Sequence, residues 1–248
     1  MKVGDPFIRH TAYCFQVLEG ARRGEFNDKG QWPSQQPADV DEPSQINLVA
    51  QLQRWRDLAK KYAGIAKHLD PRELFILAIA VQRWQGPVLE LGTHRGVSTC
   101  LIAEVLNALR RSDLLYTVET FKEGVTGPMG EDDYPGEHFL KAIKEFRSQP
   151  ALDRVVPIVG DSHRMKNLFF GMHPAIILLD GDSSEEGVLD DLTMLSFFNH
   201  PFVCLVHNAN VAGVMRSIQA VRQRERLAFA NFHTGTPGQK GLAALSRP

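Results

Sequence analysis

The segment 88–99, VLELGTHRGVST, joins a short apolar run to the start of a helical pattern through two glycines four positions apart. Val88–Leu91 predicts a buried strand, and the residues after Gly96 predict a helix. Gly92 allows a sharp turn and a close approach of the backbone to a ligand, whereas Gly96 lets the helix pack close to the strand. Ser98 lies in the first turn of this helix, where backbone N–H groups face outward. The segment therefore predicts a strand–turn–helix unit that holds a nucleotide-like ligand.

The spacing of these glycines separates two kinds of cofactor site. Dinucleotide-binding turns read G-x-G-x-x-G and hold a pyrophosphate, but this turn reads E-x-G-x-x-x-G and begins with Glu90. Because the third glycine is missing at the required spacing, a NAD-dependent reductase is the weaker hypothesis. An acidic residue suits a ligand that presents an ammonium group instead of a phosphate. We therefore predict that Glu90, Gly92, Gly96 and Ser98 bind the cofactor.

The composition is that of an ordinary globular protein without a strong charge bias. The 248 residues carry a formal net charge of −1, and 43% of them are hydrophobic, which fits one large α/β domain with an extension. This charge gives no basis for nucleic-acid binding, and no apolar run reaches the roughly 18 residues of a membrane helix. Cys14, Cys100 and Cys204 are far apart in sequence, which is typical of a reduced, cytoplasmic protein. We expect a small-molecule substrate and no nucleic-acid or membrane partner, and a homo-oligomer is left open.

From Pro87 onward, apolar strands alternate with helical stretches. Alternation of this kind predicts right-handed crossovers and a mostly parallel sheet. Two further apolar segments near the C-terminus flank a turn without a helix between them, which predicts an antiparallel hairpin at the sheet edge. The predicted fold class is α/β, with a Rossmann-like sheet of five parallel strands plus this hairpin. The predicted strands are Val88–Leu91, Leu114–Val118, Val155–Val159, Ala175–Leu179, Phe202–Val206, Leu227–His233 and Leu242–Leu245, and the helices between the parallel strands and after them are Val97–Arg110, Gly136–Arg147, Glu186–Phe198 and Val211–Arg224.

The chain before this alternating region is predicted to form an N-terminal helical extension with a polar loop. Phe7 to Arg23 is a candidate helix. Apolar residues recur at helical spacing from Leu48 to Leu69, whereas residues 24–44 are rich in Pro, Gly, Asp and Gln and predict a loop. Asp70-Pro71 predicts the start of a further helix over Arg72–Trp84. We therefore divide the chain into an extension, residues 1–69, and a cofactor-binding domain, residues 70–248.

Ligands of open α/β sheets bind at the carboxyl ends of the strands, so the residues that follow each strand are candidates for the site. Glu119 ends the second strand, where a carboxylate can accept two hydrogen bonds from a ribose diol. Asp161 and Ser162 follow the third strand. Asp161 is able to accept from the exocyclic amine of an adenine, but capping of the next helix explains it equally well.

The ends of the fourth and fifth strands carry further polar residues. Asp180 and Asp182 flank a glycine directly after an apolar run, where carboxylates cost desolvation energy unless they meet a cation. That cation is a ligand ammonium, a metal or a transferred proton, and helix capping is the structural alternative. His207 and Asn208 follow the fifth strand, and a neutral histidine there takes a proton or binds a metal. Asp190 and Asp191 are expected to be ordinary acids on a helix surface.

These motifs together resemble one branch of the class I S-adenosylmethionine (SAM) methyltransferases. The branch contains the macrocin-type sugar O-methyltransferases and the cephalosporin-hydroxylase-like proteins. The E-x-G-x-x-x-G turn is similar to the first motif of the class, and Asp180-Gly181-Asp182 followed by EGVLDDL at 186–192 is similar to the D-G-D-H-S-Y-E-G-V-L-x-D-L motif of the branch. Glu119-Thr120-Phe121 resembles its D-T-F, and Val206-His207-Asn208 resembles its V-x-H-D.

The resemblance implies SAM as cofactor and methyl transfer to a hydroxyl of a sugar or natural product. SAM is then bound by Glu90, Gly92, Gly96, Ser98, Glu119, Asp161, Ser162 and Asp180. Asp182 or His207 is the base that takes the hydroxyl proton. A long polar segment, Lys122–His138, is a predicted substrate loop. A SAM-fold protein with different chemistry and a non-catalytic binding subunit are the alternatives.

The departures from the family motif leave the need for a metal open. In metal-dependent members, Mg²⁺ is held by an aspartate of the D-G-D motif and by acids after the fifth strand. The corresponding set is Asp180, His207 and Asn208, in which Asn208 offers an oxygen without charge. Histidine is a poor ligand for Mg²⁺ and suits Zn, Fe or Ni better.

Overall fold

The computed structural model describes residues 42–64, 69–120, 152–232, 234 and 241–247. Four predicted features lie wholly or mostly outside these residues and stay predictions. They are the helix suggested at 7–23, the greater part of the polar loop 24–44, the substrate loop Lys122–His138 and the helix Gly136–Arg147.

The described strands form one seven-stranded sheet in the order β3-β2-β1-β4-β5-β7-β6. Neighbours among β1 to β5 are parallel, whereas β7 is antiparallel to both β5 and β6. This arrangement confirms the predicted fold class, including the C-terminal hairpin. The strands are β1 (Val88–Leu91), β2 (Leu115–Glu119), β3 (Val155–Val159), β4 (Ile176–Leu179), β5 (Phe202–His207), β6 (Ala228–Asn231) and β7 (Leu242–Arg247).

The helices follow the predicted alternation with small shifts at their ends. The first helix begins at Glu42, inside the segment predicted to be a loop, because Pro43 is favourable in a first helical turn. The predicted helix Glu186–Phe198 is an α-helix only to Thr193 and continues as a 3₁₀ turn over Met194–Phe197. The helices are α1 (Glu42–Ala63), α2 (Pro71–Arg83), α3 (Val97–Ala108), α4 (Ser162–Met165), α5 (Glu185–Thr193) and α6 (Ala212–Glu225).

Two apolar cores lie on opposite faces of the sheet. The residues of β4 alternate between them, with Ile176 and Leu178 in one core and Ile177 and Leu179 in the other, as the period of a strand requires. Helices α1, α2 and α3 supply the first core, and α5 and α6 supply the second. Since β1, β4 and β5 are buried along their whole length, the continuous apolar runs of the sequence are explained by two-sided burial.

The register of the central strands brings the candidate residues to one edge of the sheet. Leu91 is level with Val118 on one side and with Leu179 on the other, and Leu179 is level with Val206. The residues that follow these four therefore lie side by side, as predicted for the carboxyl edge. No helix among the described ranges is long and apolar enough to cross a membrane.

Candidate functional site

The turn after β1 depends on Gly92, as predicted for a sharp turn, and the structure adds a packing reason. Gly92 has φ of +98°, and a Cβ built on it would lie 2.5 Å from the carbonyl carbon of Asp180 and 2.7 Å from the nitrogen of Gly181. The backbone of Asp180 also forms a hydrogen bond to β1, in which its N–H donates to the carbonyl of Leu91 at 2.8 Å. The space that a side chain would need is thus filled by the chain end of β4. Gly92 is therefore required by the packing of the two strand ends, whether or not a ligand is bound.

Glu119 holds the loop between Gly92 and α3. Its Oε2 accepts a hydrogen bond from the backbone N–H of His94 at 3.0 Å, and its Oε1 accepts from the N–H of Thr120 at 2.8 Å. His94 has a left-handed φ of 43°, as does Gly96 with φ of 71°, so this carboxylate stabilises an otherwise unfavourable loop. Glu119 is half-buried at the end of β2. Its Oε1 also accepts from the hydroxyl of Thr120 at 3.2 Å, so Oε2 is the oxygen that can accept a further bond.

Glu90 is inside the protein and does not face the edge of the sheet. Its side chain is completely buried, and its Oε2 accepts from the hydroxyls of Thr99 at 2.5 Å and Thr117 at 2.6 Å. Burial raises the pKa of Glu90 to about 7, although these hydroxyls and that of Ser98 act in the opposite direction. Because Glu90 and Ser98 are buried, their contacts favour a role in shaping the turn over direct contact with a cofactor.

The residues after β3 cap a helix and contact a buried acid. Asp161 Oδ1 accepts from the N–H of His163 at 3.0 Å, which is the capping alternative stated for this residue. Ser162 Oγ donates to Asp191 Oδ1 at 3.0 Å. Contact of Asp161 and Ser162 with an adenine stays a prediction.

Asp191 is not a surface acid, and the expectation for it is wrong. It is 2% exposed, and its carboxylate lies 3.4 Å from Nε2 of His163. Burial raises the pKa of Asp191 to about 6, against the opposing effect of His163. The helical spacing of Gly187, Asp191 and Leu192 on the buried face of α5 is the sequence signal that would have placed it inside. Asp190 pairs with Lys166.

The strongest electrostatic feature of the site is a buried histidine between two carboxylates. His207 is 6% exposed, and its Nδ1 lies 2.6 Å from Asp180 Oδ1 while its Nε2 lies 3.4 Å from Glu73 Oε2. Burial lowers the pKa of His207, but the charges and hydrogen bonds of Asp180 and Glu73 outweigh it and raise the pKa to about 10. The two carboxylates therefore favour the protonated form of this ring.

Glu73 belongs to this site although no sequence motif pointed to it. It is 1% exposed on α2, where it completes a capping box with Asp70. Its Oε1 accepts from the hydroxyl of Thr234 at 3.0 Å and from the N–H of Gly241 at 2.9 Å. The spacing Asp70-x-x-Glu73 predicts a capping box, but partners 161 and 168 positions away leave no local signal.

Asp182 is the exposed acid of the site. Its Oδ1 accepts from the N–H of Ser184 at 2.7 Å, and Ser184 caps α5 through the N–H of Gly187. A small pocket lies between the ends of β4 and β5, and its polar lining includes Asp180, Asp182, Asp191, His207 and Asn208.

The donor set does not fit the predicted metal site. Both nitrogens of His207 lie beside carboxylates, Asp180 Oδ1 at 2.6 Å and Glu73 Oε2 at 3.4 Å, so neither faces an open ligand position. Asn208 brings no charge. Among the described residues, no three His, Cys, Asp or Glu side chains converge in a metal-binding group. The role of His207 as a base stays a prediction.

Comparison with known proteins agrees with this architecture. Residues 89–206 match the model of a family described as a methyltransferase domain. No curated protein matches the sequence.

Solved structures with the same fold are distant in sequence. One is the O-methyltransferase TomG from Streptomyces achromogenes, which is involved in tomaymycin synthesis and was solved in complex with SAM. It is 14% identical to this chain with a TM-score of 0.50, and the match covers 93% of this chain and 88% of that chain. Another is the TDP-rhamnose 3′-O-methyltransferase of calicheamicin biosynthesis, with 14% identity, a TM-score of 0.51 and coverage of 94% and 93%. A Podospora anserina methyltransferase with bound SAH has 11% identity, a TM-score of 0.52 and coverage of 86% and 98%.

At these identities the neighbours establish the fold, and the matched residues run from β1 to β5 and include the glycine turn and both carboxylate-bearing strand ends. The chain therefore has the fold of these methyltransferases, and its residues 89–206 are similar to the methyltransferase domain family.

Proposed function

We propose that this protein is a SAM-dependent O-methyltransferase that methylates a hydroxyl of a small molecule, namely a sugar or another natural product. The observation that carries the proposal is the meeting of three features at one edge of a methyltransferase sheet. These are the Gly92 turn, the carboxylate of Glu119 and the acids Asp180 and Asp182 at the end of β4. The macrocin-type branch is proposed on the motif at 180–192 and on the sugar and natural-product enzymes among the structural neighbours.

The described residues fit SAM at this edge. The turn after Gly92 and the start of α3 leave a backbone cradle, because the N-cap residue of α3 is Gly96, which has no side chain to cap the helix. Beside that cradle, Oε2 of Glu119 has a lone pair for a ribose hydroxyl. Asp180, with a side chain that is 18% exposed, offers a carboxylate to the ammonium of the methionine part. When bound, SAM supplies a methyl group activated by its sulfonium.

The protein aligns the acceptor hydroxyl and removes its proton. Direct displacement requires the hydroxyl oxygen, the methyl carbon and the sulfur to be in line, which is a matter of positioning. Asp182 is the proposed base, because it is exposed at the pocket and its carboxylate has lone pairs beyond the bond from Ser184. His207 is 6% exposed and lies between Asp180 and Glu73, so the more accessible Asp182 is preferred to it as the base.

Methyl transfer from labelled SAM to a panel of sugar and phenolic hydroxyls tests the proposal. We expect transfer to at least one class of hydroxyl, equal rates with and without EDTA, and a loss of about 100-fold or more in turnover in Asp182→Asn. The matched control is Asp190→Asn, which changes an acid of the following helix that pairs with Lys166 away from the pocket lining. SAM binding without transfer to any acceptor would favour a non-catalytic binding subunit.

A further inference from the structure

We propose that Glu73 is a positioning residue that holds His207, and that His207 in turn holds the carboxylate of Asp180 at the cofactor edge. The inference rests on the proposed function, because the ligand that Asp180 is held for is SAM.

The exposed fraction of the three side chains decreases from Asp180 through His207 to Glu73. Asp180 is the member with solvent access, with 18% of its side chain exposed, whereas His207 is 6% exposed and Glu73 has a side chain with no exposure. The distances are 2.6 Å from Asp180 to His207 and 3.4 Å from His207 to Glu73. A ligand at the edge therefore meets Asp180, and the other two act behind it.

His207 lies between the two carboxylates and contacts both of them. Removing one member of such a buried set leaves the others without their partner, which is costly. A ring supported from behind by Glu73 keeps Asp180 in a fixed orientation before any ligand arrives, which lowers the ordering cost of binding.

The supports of Glu73 show why this residue is able to position the ring. Its Oε2 accepts from the backbone N–H of Asp70 at 2.9 Å, and its Oε1 accepts from Thr234 and Gly241. The carboxylate is thus fixed by the first turn of α2 and by the segment that leads into β7. These contacts come from elements outside the strand that carries His207, so the ring is anchored from two sides.

A double-mutant cycle on SAM affinity tests whether Glu73 acts through His207. Glu73→Gln keeps an oxygen for Thr234 and Gly241 but removes the charge that faces the ring. We expect Glu73→Gln and His207→Gln each to weaken SAM binding by about 10-fold in calorimetric titration, and the double variant to be no weaker than His207→Gln alone. Glu104→Gln is the matched control. Glu104 is likewise a glutamate whose side chain links two elements, because it accepts from Tyr62 and Lys61 and so connects α3 to α1. It lies outside the contacts between Glu73, His207 and Asp180. It is expected to bind SAM as the wild type does.

Two results would overturn the inference. The first is a SAM affinity of Glu73→Gln equal to that of the wild type. The second is a loss of affinity in the double variant equal to the sum of the two single losses, because a merely structural role of Glu73 would be independent of His207. If the wild type itself binds no SAM, the proposed function fails first, and that outcome is distinct from either of these.

A second variant covers the case in which Glu73→Gln does not fold. His207→Gln alone should still weaken SAM binding by about 10-fold in calorimetric titration, because the contact with Asp180 is lost. Affinity equal to that of the wild type in His207→Gln would contradict the inference.

Discussion

At Gly92 the packing of the protein itself leaves no room for a side chain, even without a ligand. Its positive φ and the backbone of Asp180 both oppose a Cβ at this position. We expect Gly92→Ala to lose about 3 kcal/mol of unfolding free energy or more, as the sum of backbone strain and overpacking. Urea unfolding followed by circular dichroism measures this loss.

Gly181→Ala is the natural control for that experiment. A Cβ at Gly181 would lie 3.7 Å from the carbonyl oxygen of Leu91, which is an ordinary contact. Its unfolding midpoint should stay close to that of the wild type. Equal midpoints for the two alanine variants would contradict the role of Gly92 in packing the two strand ends.

Glu119 is the residue for which the loop contacts and the proposed ribose contact act together. Glu119→Ala removes the acceptor for the N–H of His94 and the proposed partner of the ribose. SAM binding should weaken by about 1–3 kcal/mol, which is the scale for lost hydrogen bonds to a charged group. Unchanged affinity in calorimetric titration would place the ribose elsewhere.

Glu90 gives the protein a predictable dependence of stability on pH. Its carboxyl binds a proton up to about pH 7 in the folded protein, against a value of 4.5 for an ordinary glutamate. Since the folded state binds more protons between these values, stability falls as the pH rises from about 4.5 to 7. Relative to Glu90→Gln, which does not titrate, the wild type should lose up to about 3 kcal/mol across this window.

Urea unfolding of both proteins at pH 5 and pH 7.5 measures this difference. Asp191 contributes a slope of the same sign in both proteins, so it cancels in the comparison. Parallel pH profiles would mean that Glu90 titrates normally.

At the scale of the elements, the strands were predictable to within about one residue at most ends. The continuous apolar runs at Ile176–Leu179 and Phe202–Val206 coincide with strands that are buried along their whole length inside the sheet. The start of α1 was missed because its first turn is polar and rich in loop-forming residues. Asp191 was misplaced because its neighbour Asp190 is a surface acid, and only the helical period of α5 separates the two.

Helix α1 is packed into the core that the sheet shares with α2 and α3. Trp55 is 1% exposed, and its Nε1 donates to Gln82 Oε1 at 2.7 Å. We expect Trp55→Ala to cost about 3–5 kcal/mol of unfolding free energy and to shift the main unfolding transition, so that the extension and the domain unfold together. Asp57→Ala, an exposed change on the same helix, should have little effect. A separate early transition in Trp55→Ala would instead support an independent unit before residue 70.

At the scale of the whole molecule, the sequence was sufficient for the sheet and for the edge that carries the site. Periodicity and glycine spacing are local, and the register of parallel strands then determines which residues meet. The roles within the site were harder to predict, because they depend on long-range partners. His207 looked like a base or a metal ligand until Glu73, on a helix far away in sequence, was found beside it.

Titration of the wild-type protein with SAM, with NAD as the comparison ligand, tests the central claim most directly. We predict one SAM bound per chain with micromolar affinity or tighter, no binding of NAD, and weaker SAM binding in Glu119→Ala. Binding of NAD without SAM, or no heat with either, would contradict the assignment of this sheet edge as a SAM site.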